Sequence, residues 1–298
     1  MLKKYGSILF VSIGLVSCVN NSNNLKRDFL TDSIPNDTPI EFRPFDVPND
    51  KFIHKGTFSP GLDEYYFTVS DKQFEQFEVY MQKKENGRWS DPEHAFFNGN
   101  YSDHGMSFSP EGNTIYFSST RPTGIDGIPE TWHIWTCHKV NGKWSEPMFI
   151  NIPNFENKLV SHPSVSSFGT MYFHASNLDY SEMDIYFSKQ VNGNFGAAQK
   201  ASIEMDTPIA KCTPFISPTE NYLIFASVEE ELELMITYKD DLGQWTKPIK
   251  FNENINNKGQ GNPYVTPDDK YLFFTAIDTA SKAWKINWVN IEAKLKVN

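Results

Sequence analysis

The chain has few cysteines: Cys18, Cys137 and Cys212 in 298 residues. That is too few for a disulfide framework, so the fold must rest on a packed core. No apolar run is long enough to span a bilayer as a helix; the N-terminal candidate, Ile8–Val16, falls short of the ~20 residues required. Basic residues are also scarce. Lys and Arg total 27 against 37 Asp and Glu, and the formal net charge is −10. This argues against nucleic acid as a partner, since phosphate binding needs a basic patch, and disfavours acidic polysaccharide unless a local basic cluster or a metal intervenes. No Gly-x-Ser-x-Gly segment is present to build a nucleophile elbow.

What the N-terminus does contain is a targeting pattern. Lys3 and Lys4 precede the apolar run, which ends in Leu15-Val16-Ser17-Cys18. This resembles the lipobox of bacterial lipoproteins. The resemblance implies cleavage before Cys18, acylation of its thiol, and a membrane partner reached through the lipid; more than one acyl chain is needed for a stable anchor. Residues 1–17 are then a signal peptide. Residues 18–36 are polar, rich in Asn, Ser and Asp, and read as a flexible tether. No acidic run directly follows Cys18, which favours an outer-membrane anchor facing the periplasm of the cell envelope.

Residues 37–298 are repetitive. Five segments align on a Ser-Pro turn: "TFSPGLDEYYFTVS", "SFSPEGNTIYFSST", "SVSSFGTMYFHAS", "FISPTENYLIFASV" and "YVTPDDKYLFFTAI". The turn positions Pro60, Pro110, Ser167, Pro218 and Pro267 are spaced by 50, 57, 51 and 49 residues. Each copy continues into a third alternating segment, such as "HIWTCHKV". In the first four copies a tight turn follows: Asn86-Gly87, Asn141-Gly142, Asn192-Gly193 or Leu242-Gly243. Asn-Gly between strands marks a hairpin because both residues tolerate positive φ. An aromatic and a fourth short strand end the unit. Four antiparallel strands per repeat of this period make a propeller blade.

The repeat resembles the WD-like propeller repeats of the TolB type. The resemblance is carried by Phe108–Gly112, Ile115–Arg121, Asp184–Tyr186 and Asn141–Pro147, and extends over about residues 38–298. It implies an all-β, five-bladed β-propeller of four-stranded antiparallel blades. It says little of activity, because such repeats serve many functions. The fifth copy lacks a fourth strand, whereas "TPIEF" (Thr38 to Phe42) reads like "TKPIKF" (Thr246 to Phe251) and "SEPMFI" (Ser145 to Ile150). An open ring would expose an unpaired edge, so the ring is expected to be closed by this N-terminal strand, lying beside Trp284 to Val289.

The repeat also sorts residues by role. The Ser-Pro and Asn-Gly turns share one face, and Ser59, Ser109 and Ser217 are turn formers there. Tyr66, Phe117, Phe173 and Phe225 alternate so as to fill the wedges between blades. The other face carries the variable loops, of which Arg121 to Thr131 is the longest, and the starts of the inner strands. Six residues before each turn position stand His54, His104, Ser161, Cys212 and Gly261. One residue further in are Lys55, Gly105, His162, Thr213 and Asn262; one further out are Ile53, Asp103, Val160, Lys211 and Gln260.

His54, His104, His162 and Gln260 are thus candidate ligands of a divalent metal at the channel mouth, although no cofactor is firmly implied. The one-residue offset of His162 could turn it between blades instead. Arg121, Asp126, Trp132, Asp103 and Lys211 are candidate ligand contacts. Arg121 suits either an anionic group or an ion pair fixing its own loop. Asp71, Asp103, Asp126, Asp179 and Asp278 reach this face, but no pair is singled out for glycoside hydrolysis. The leading expectation is a non-catalytic, lipid-anchored envelope protein that binds a protein or a glycan through its loop face. The alternative is a metal-dependent carbohydrate lyase or hydrolase using the histidine rim.

Overall fold

The computed structural model describes residue 30 and residues 34–45, 50–257 and 259–295. Cys18, the signal sequence and most of the tether lie outside the described residues. Five small antiparallel sheets form the blades. Their inner strands are Lys51–Phe58, Asp103–Phe108, Leu159–Val165, Ala210–Ile216 and Gly261–Val265. These neighbour one another in cyclic order, the fifth lying beside the first, so the ring is closed.

The seam closes as the sequence predicts. Ile40–Glu41 pairs antiparallel with Trp284–Asn290, setting Ile40 opposite Trp288 and Glu41 opposite Asn287. The Phe42 amide adds a bond to the Ile286 carbonyl at 2.8 Å. In the first four blades the outermost strand is interrupted, and in three of them Pro92, Pro147 or Pro248 stands at the break. Proline has no N–H to give to a ladder and breaks pairing there. The hairpins before these breaks have positive φ at both Asn86-Gly87, Asn141-Gly142 and Asn192-Gly193, as their sequence requires.

Packing follows the alternation of the strands. Tyr66, Phe117, Phe173 and Phe225 are fully buried in the wedges between blades. Cys137 and Cys212 are free thiols in different wedges, and burial pushes both up to about 12. Such thiols stay protonated and unreactive. The turn serines cap their own turns: Ser59 Oγ accepts the Glu64 amide at 2.9 Å, and Ser217 Oγ accepts the Tyr222 amide at 3.1 Å.

Every inner strand is irregular at one matching place. Its register against the second strand shifts immediately after His54, His104, Ser161, Cys212 and Gly261. In four blades the next residue has left-handed backbone: Gly105 (φ 64), His162 (φ 56), Thr213 (φ 47) and Asn262 (φ 54). Left-handed backbone is uncommon for a β-branched or bulky residue, and an inner-strand bulge re-aims the side chain it carries. The bulges set residues of five blades around the axis.

Candidate functional site

The bulges gather imidazoles. His104 and His162 lie with ring centroids 4.5 Å apart, and His162 stacks on His174 at 4.9 Å. His174, on the second strand of the third blade, pairs with Ser161 across the ladder. The His162 ring covers Gly105 of the preceding blade, where an added Cβ would come within 3.2 Å of the ring. Gly105 therefore serves two ends: it adopts the positive φ and leaves room for the neighbouring imidazole. The offset of His162 turns it across to the second blade.

A hydroxyl ties this cluster together. Ser161 Oγ lies 3.2 Å from His104 Nε2, 3.0 Å from His162 Nδ1 and 3.0 Å from Ser118 Oγ. It has one proton for three partners, so at least one ring nitrogen donates to it. Ser161 is 1% exposed, which leaves no path for a substrate to reach it as a nucleophile. His54 stands apart in the first blade with Nε2 2.7 Å from Ser70 Oγ. Gln260 gives its amide to Asn257 Oδ1 at 2.9 Å, in the link between the last two blades. Among the described residues no three His, Cys, Asp or Glu side chains are grouped so as to hold a metal ion. His104 and His162 are brought together on the shared Ser161 hydroxyl, while His54 is engaged separately with Ser70.

Burial holds all these rings neutral. It pushes His54 down to about 4 and His174 down to about 3, the latter helped by the Lys55 charge. His104 and His162 are pushed well below the usual imidazole range, first by burial and then by neighbouring rings and Lys55.

The charged candidates are paired. Arg121 Nη2 donates to both carboxylate oxygens of Asp103 at 3.0 Å and to the Phe97 carbonyl at 2.8 Å, while Nε reaches Ser119 Oγ at 2.9 Å. Its guanidinium also faces the rings of Phe117 and Trp135. Both partners are buried, so this pair locks the long loop to the second blade. Lys211 Nζ lies 3.1 Å from Asp184, which also binds Lys200 at 2.6 Å. Asp126 is exposed in its loop. Asp71, Asp179 and Asp278 accept amides of their own loops, those of Gln73, Ser181 and Ser281. Arg121→Met is expected to cost about 3–5 kcal/mol in urea unfolding, because it strands a buried carboxylate. Arg121→Met combined with Asp103→Leu should recover much of that loss. A single-variant cost under about 1 kcal/mol would show the pair to be dispensable.

Aromatic rings dominate what remains of this face. Trp132 meets His104 edge to face at 4.0 Å and Phe77 at 5.8 Å. Phe74, Phe77 and Trp284 surround His54 at 5.7, 5.6 and 6.2 Å. Phe74 and Tyr180 occupy the same position in the loops of the first and third blades, three residues after Asp71 and Asn177. Both have left-handed backbone (φ 59 and 64), and both are exposed, at 44% and 60%. Beside Tyr180 a groove of about 850 Å³ opens between the third and fourth blades, with Tyr186, Asp184 and Lys211 in its wall. Phe74, Phe77, Tyr180, Trp284 and His174 were not singled out by the sequence. His174 was visible as "MYFHAS" where another copy reads "IYFSST". Phe74 and Tyr180 were visible as a pattern shared by two copies, "SDKQFEQFEVY" and "SNLDYSEMDIY".

No family model and no curated protein matches the chain. Solved structures do. A GH43 endo-arabinanase from Bacillus licheniformis superposes with a TM-score of 0.53 at 15% identity, over 83% of this chain and 96% of that one. An endo-arabinase from Bacteroides thetaiotaomicron gives 0.48 at 14% identity, over 85% and 95%. TolB from Acinetobacter baumannii gives 0.44 at 12% identity, over 79% of this chain and 54% of TolB, so the chain spans about half of that protein's length. At such identities the likeness is one of fold: this chain is similar to β-propellers, in agreement with its five blades.

Proposed function

We propose that this protein is a binding module of the cell envelope, tethered through an acylated Cys18, whose loop face takes an uncharged saccharide. The observation that carries the reading is the pair of outward aromatics, Phe74 and Tyr180, held in left-handed backbone at matching loop positions. Strained backbone persists where the surroundings enforce it, and it clusters at ligand clamps. Outward rings on a rigid scaffold offer flat apolar platforms, and the groove beside Tyr180 supplies polar groups. The net charge of −10 favours an uncharged ligand over an acidic one.

The hydrolase or lyase alternative gains no comparable support. The loop-face carboxylates Asp103 and Asp184 are held by cations, and Asp71, Asp179 and Asp278 cap their own loops. The test is a glycan array followed by titration of the tightest neutral hit. Phe74→Ala and Tyr180→Ala are expected to weaken that hit by about tenfold, a loss of about 1.4 kcal/mol. Melting of Tyr180→Ala should barely move, since that side chain is exposed, whereas Phe74→Ala also loses ring contacts to Phe52, His54 and Phe77 and should melt somewhat lower. Unchanged affinity in both variants would place binding elsewhere.

A further inference from the structure

The opposite end of the axis holds a second feature. Behind the Ser-Pro turns lies an axial cavity of about 100 Å³ to which all five inner strands contribute. Its wall is largely apolar, with Phe58, Phe108, Phe215 and Tyr264 among its rings. Lys55, the bulge residue of the first blade, also lines it and is 6% exposed. Among the described residues no carboxylate or hydrogen-bond acceptor pairs with its ammonium group, and burial alone acts on its titration.

Most other polar groups of this wall are spent. Thr57 donates to the Met106 carbonyl at 3.3 Å, Ser164 accepts the Ile216 amide at 3.0 Å, and Thr266 donates to Asp268 at 2.6 Å. Ser107 Oγ, however, is buried without a partner. A buried hydroxyl without a partner, with an unpaired lysine lining the same apolar cavity, is a costly combination unless something binds there.

We propose that the axial cavity is a binding site for a small monocarboxylate with a flat apolar body. The carboxylate accepts hydrogen bonds from Lys55 Nζ and Ser107 Oγ, and the apolar body packs among the Phe58, Phe108, Phe215 and Tyr264 rings. This site is on the Ser-Pro side of the axis and does not depend on the loop-face reading. Pairing would give the Lys55 ammonium a charge-assisted hydrogen bond.

Benzoate is the probe, with benzamide as its neutral match, titrated calorimetrically into the purified protein. At pH 6 saturable benzoate binding is expected, with benzamide at least about tenfold weaker, because hydrogen bonds to charged groups are the stronger ones. Lys55→Met, which keeps the length and removes the charge, should weaken benzoate at least about tenfold, and Ser107→Ala should weaken it less. Lys55 sits at about 7, so affinity should fall about tenfold from pH 6 to pH 8 as the ammonium is lost. The other titratable groups around it do not change over that range: His104, His162 and His174 stay neutral, and burial keeps the Tyr264 phenol protonated. Melting of Lys55→Met reports whether it folds; removing a buried charge should leave it at least as stable as the parent. The proposal is overturned if benzoate does not bind saturably, if benzamide binds equally well, or if folded Lys55→Met binds benzoate like the parent.

Discussion

Phe42→Ala is expected to lower stability by about 3–5 kcal/mol, although residue 42 only follows a strand of two paired residues. The reason is where the ring is closed. Phe42 is buried in the wedge between the last and first blades, with its ring 4.9 Å from Phe273, 5.3 Å from Tyr65 and 5.6 Å from Trp288. Removing the ring leaves a cavity between blades far apart in sequence, and only partial collapse is available to fill it. Removing residues 37–43 altogether should cost more, since it also strips the hydrogen-bond partners from Trp284–Asn290 and exposes an edge. Urea midpoints of the two variants measure this. A cost below about 1 kcal/mol for Phe42→Ala would mean that the seam contributes little to the fold.

Acid should unfold the protein well before its carboxylates are all protonated. His54 and His174 are held down to about 4 and about 3, and His104 and His162 well below the ordinary value of 6.5, chiefly by burial. The folded state thus keeps these rings neutral where the unfolded chain takes up protons. The contribution of these histidines is complete above about pH 6.5 and is lost as pH drops below it, continuing to about 4 for His54 and about 3 for His174. At pH 5 His54 and His174 each account for roughly 2 kcal/mol, and His104 and His162 act in the same direction, against the ~5–15 kcal/mol net stability of a typical domain. Lys55 acts in the same direction at higher pH. Its value of about 7 lies below the ordinary 10.5, so stability should rise further between those two. Urea midpoints at pH 7, 6 and 5 should therefore fall steeply, and His174→Gln should flatten the fall. Equal midpoints at pH 7 and pH 5 would contradict neutral burial of the cluster.

The architecture was legible because the chain writes it five times. The Ser-Pro turns, the Asn-Gly hairpins and the stray "TPIEF" segment each name a place in a blade, and the closing strand lies where that segment predicts. The strand-start positions were legible as well: counting back from the turns finds the residue before every bulge. The bulges themselves were signalled only by Pro163, Pro214 and Pro263, which follow three of the left-handed residues and sit badly in an inner strand.

Side-chain partnership was harder to read. Arg121 and Asp103 meet because the first two strands of a blade are antiparallel and Arg121 lies just past the end of the second, and nothing in either segment announces the pair. The isolation of Lys55 depends on which groups of four other blades fail to reach it. Phe74 and Tyr180 lie in loops that share a pattern, "SDKQFEQFEVY" and "SNLDYSEMDIY", but their left-handed backbone emerges only in three dimensions.

The loop face is proposed to bind an uncharged saccharide without cleaving it. This is tested most directly by incubating the protein with its tightest neutral glycan hit and analysing the mixture by mass spectrometry under native and denaturing conditions. A stoichiometric complex is expected under native conditions, with recovery of the intact glycan after denaturation. A steady accumulation of shortened or unsaturated products would contradict it and make the protein an enzyme.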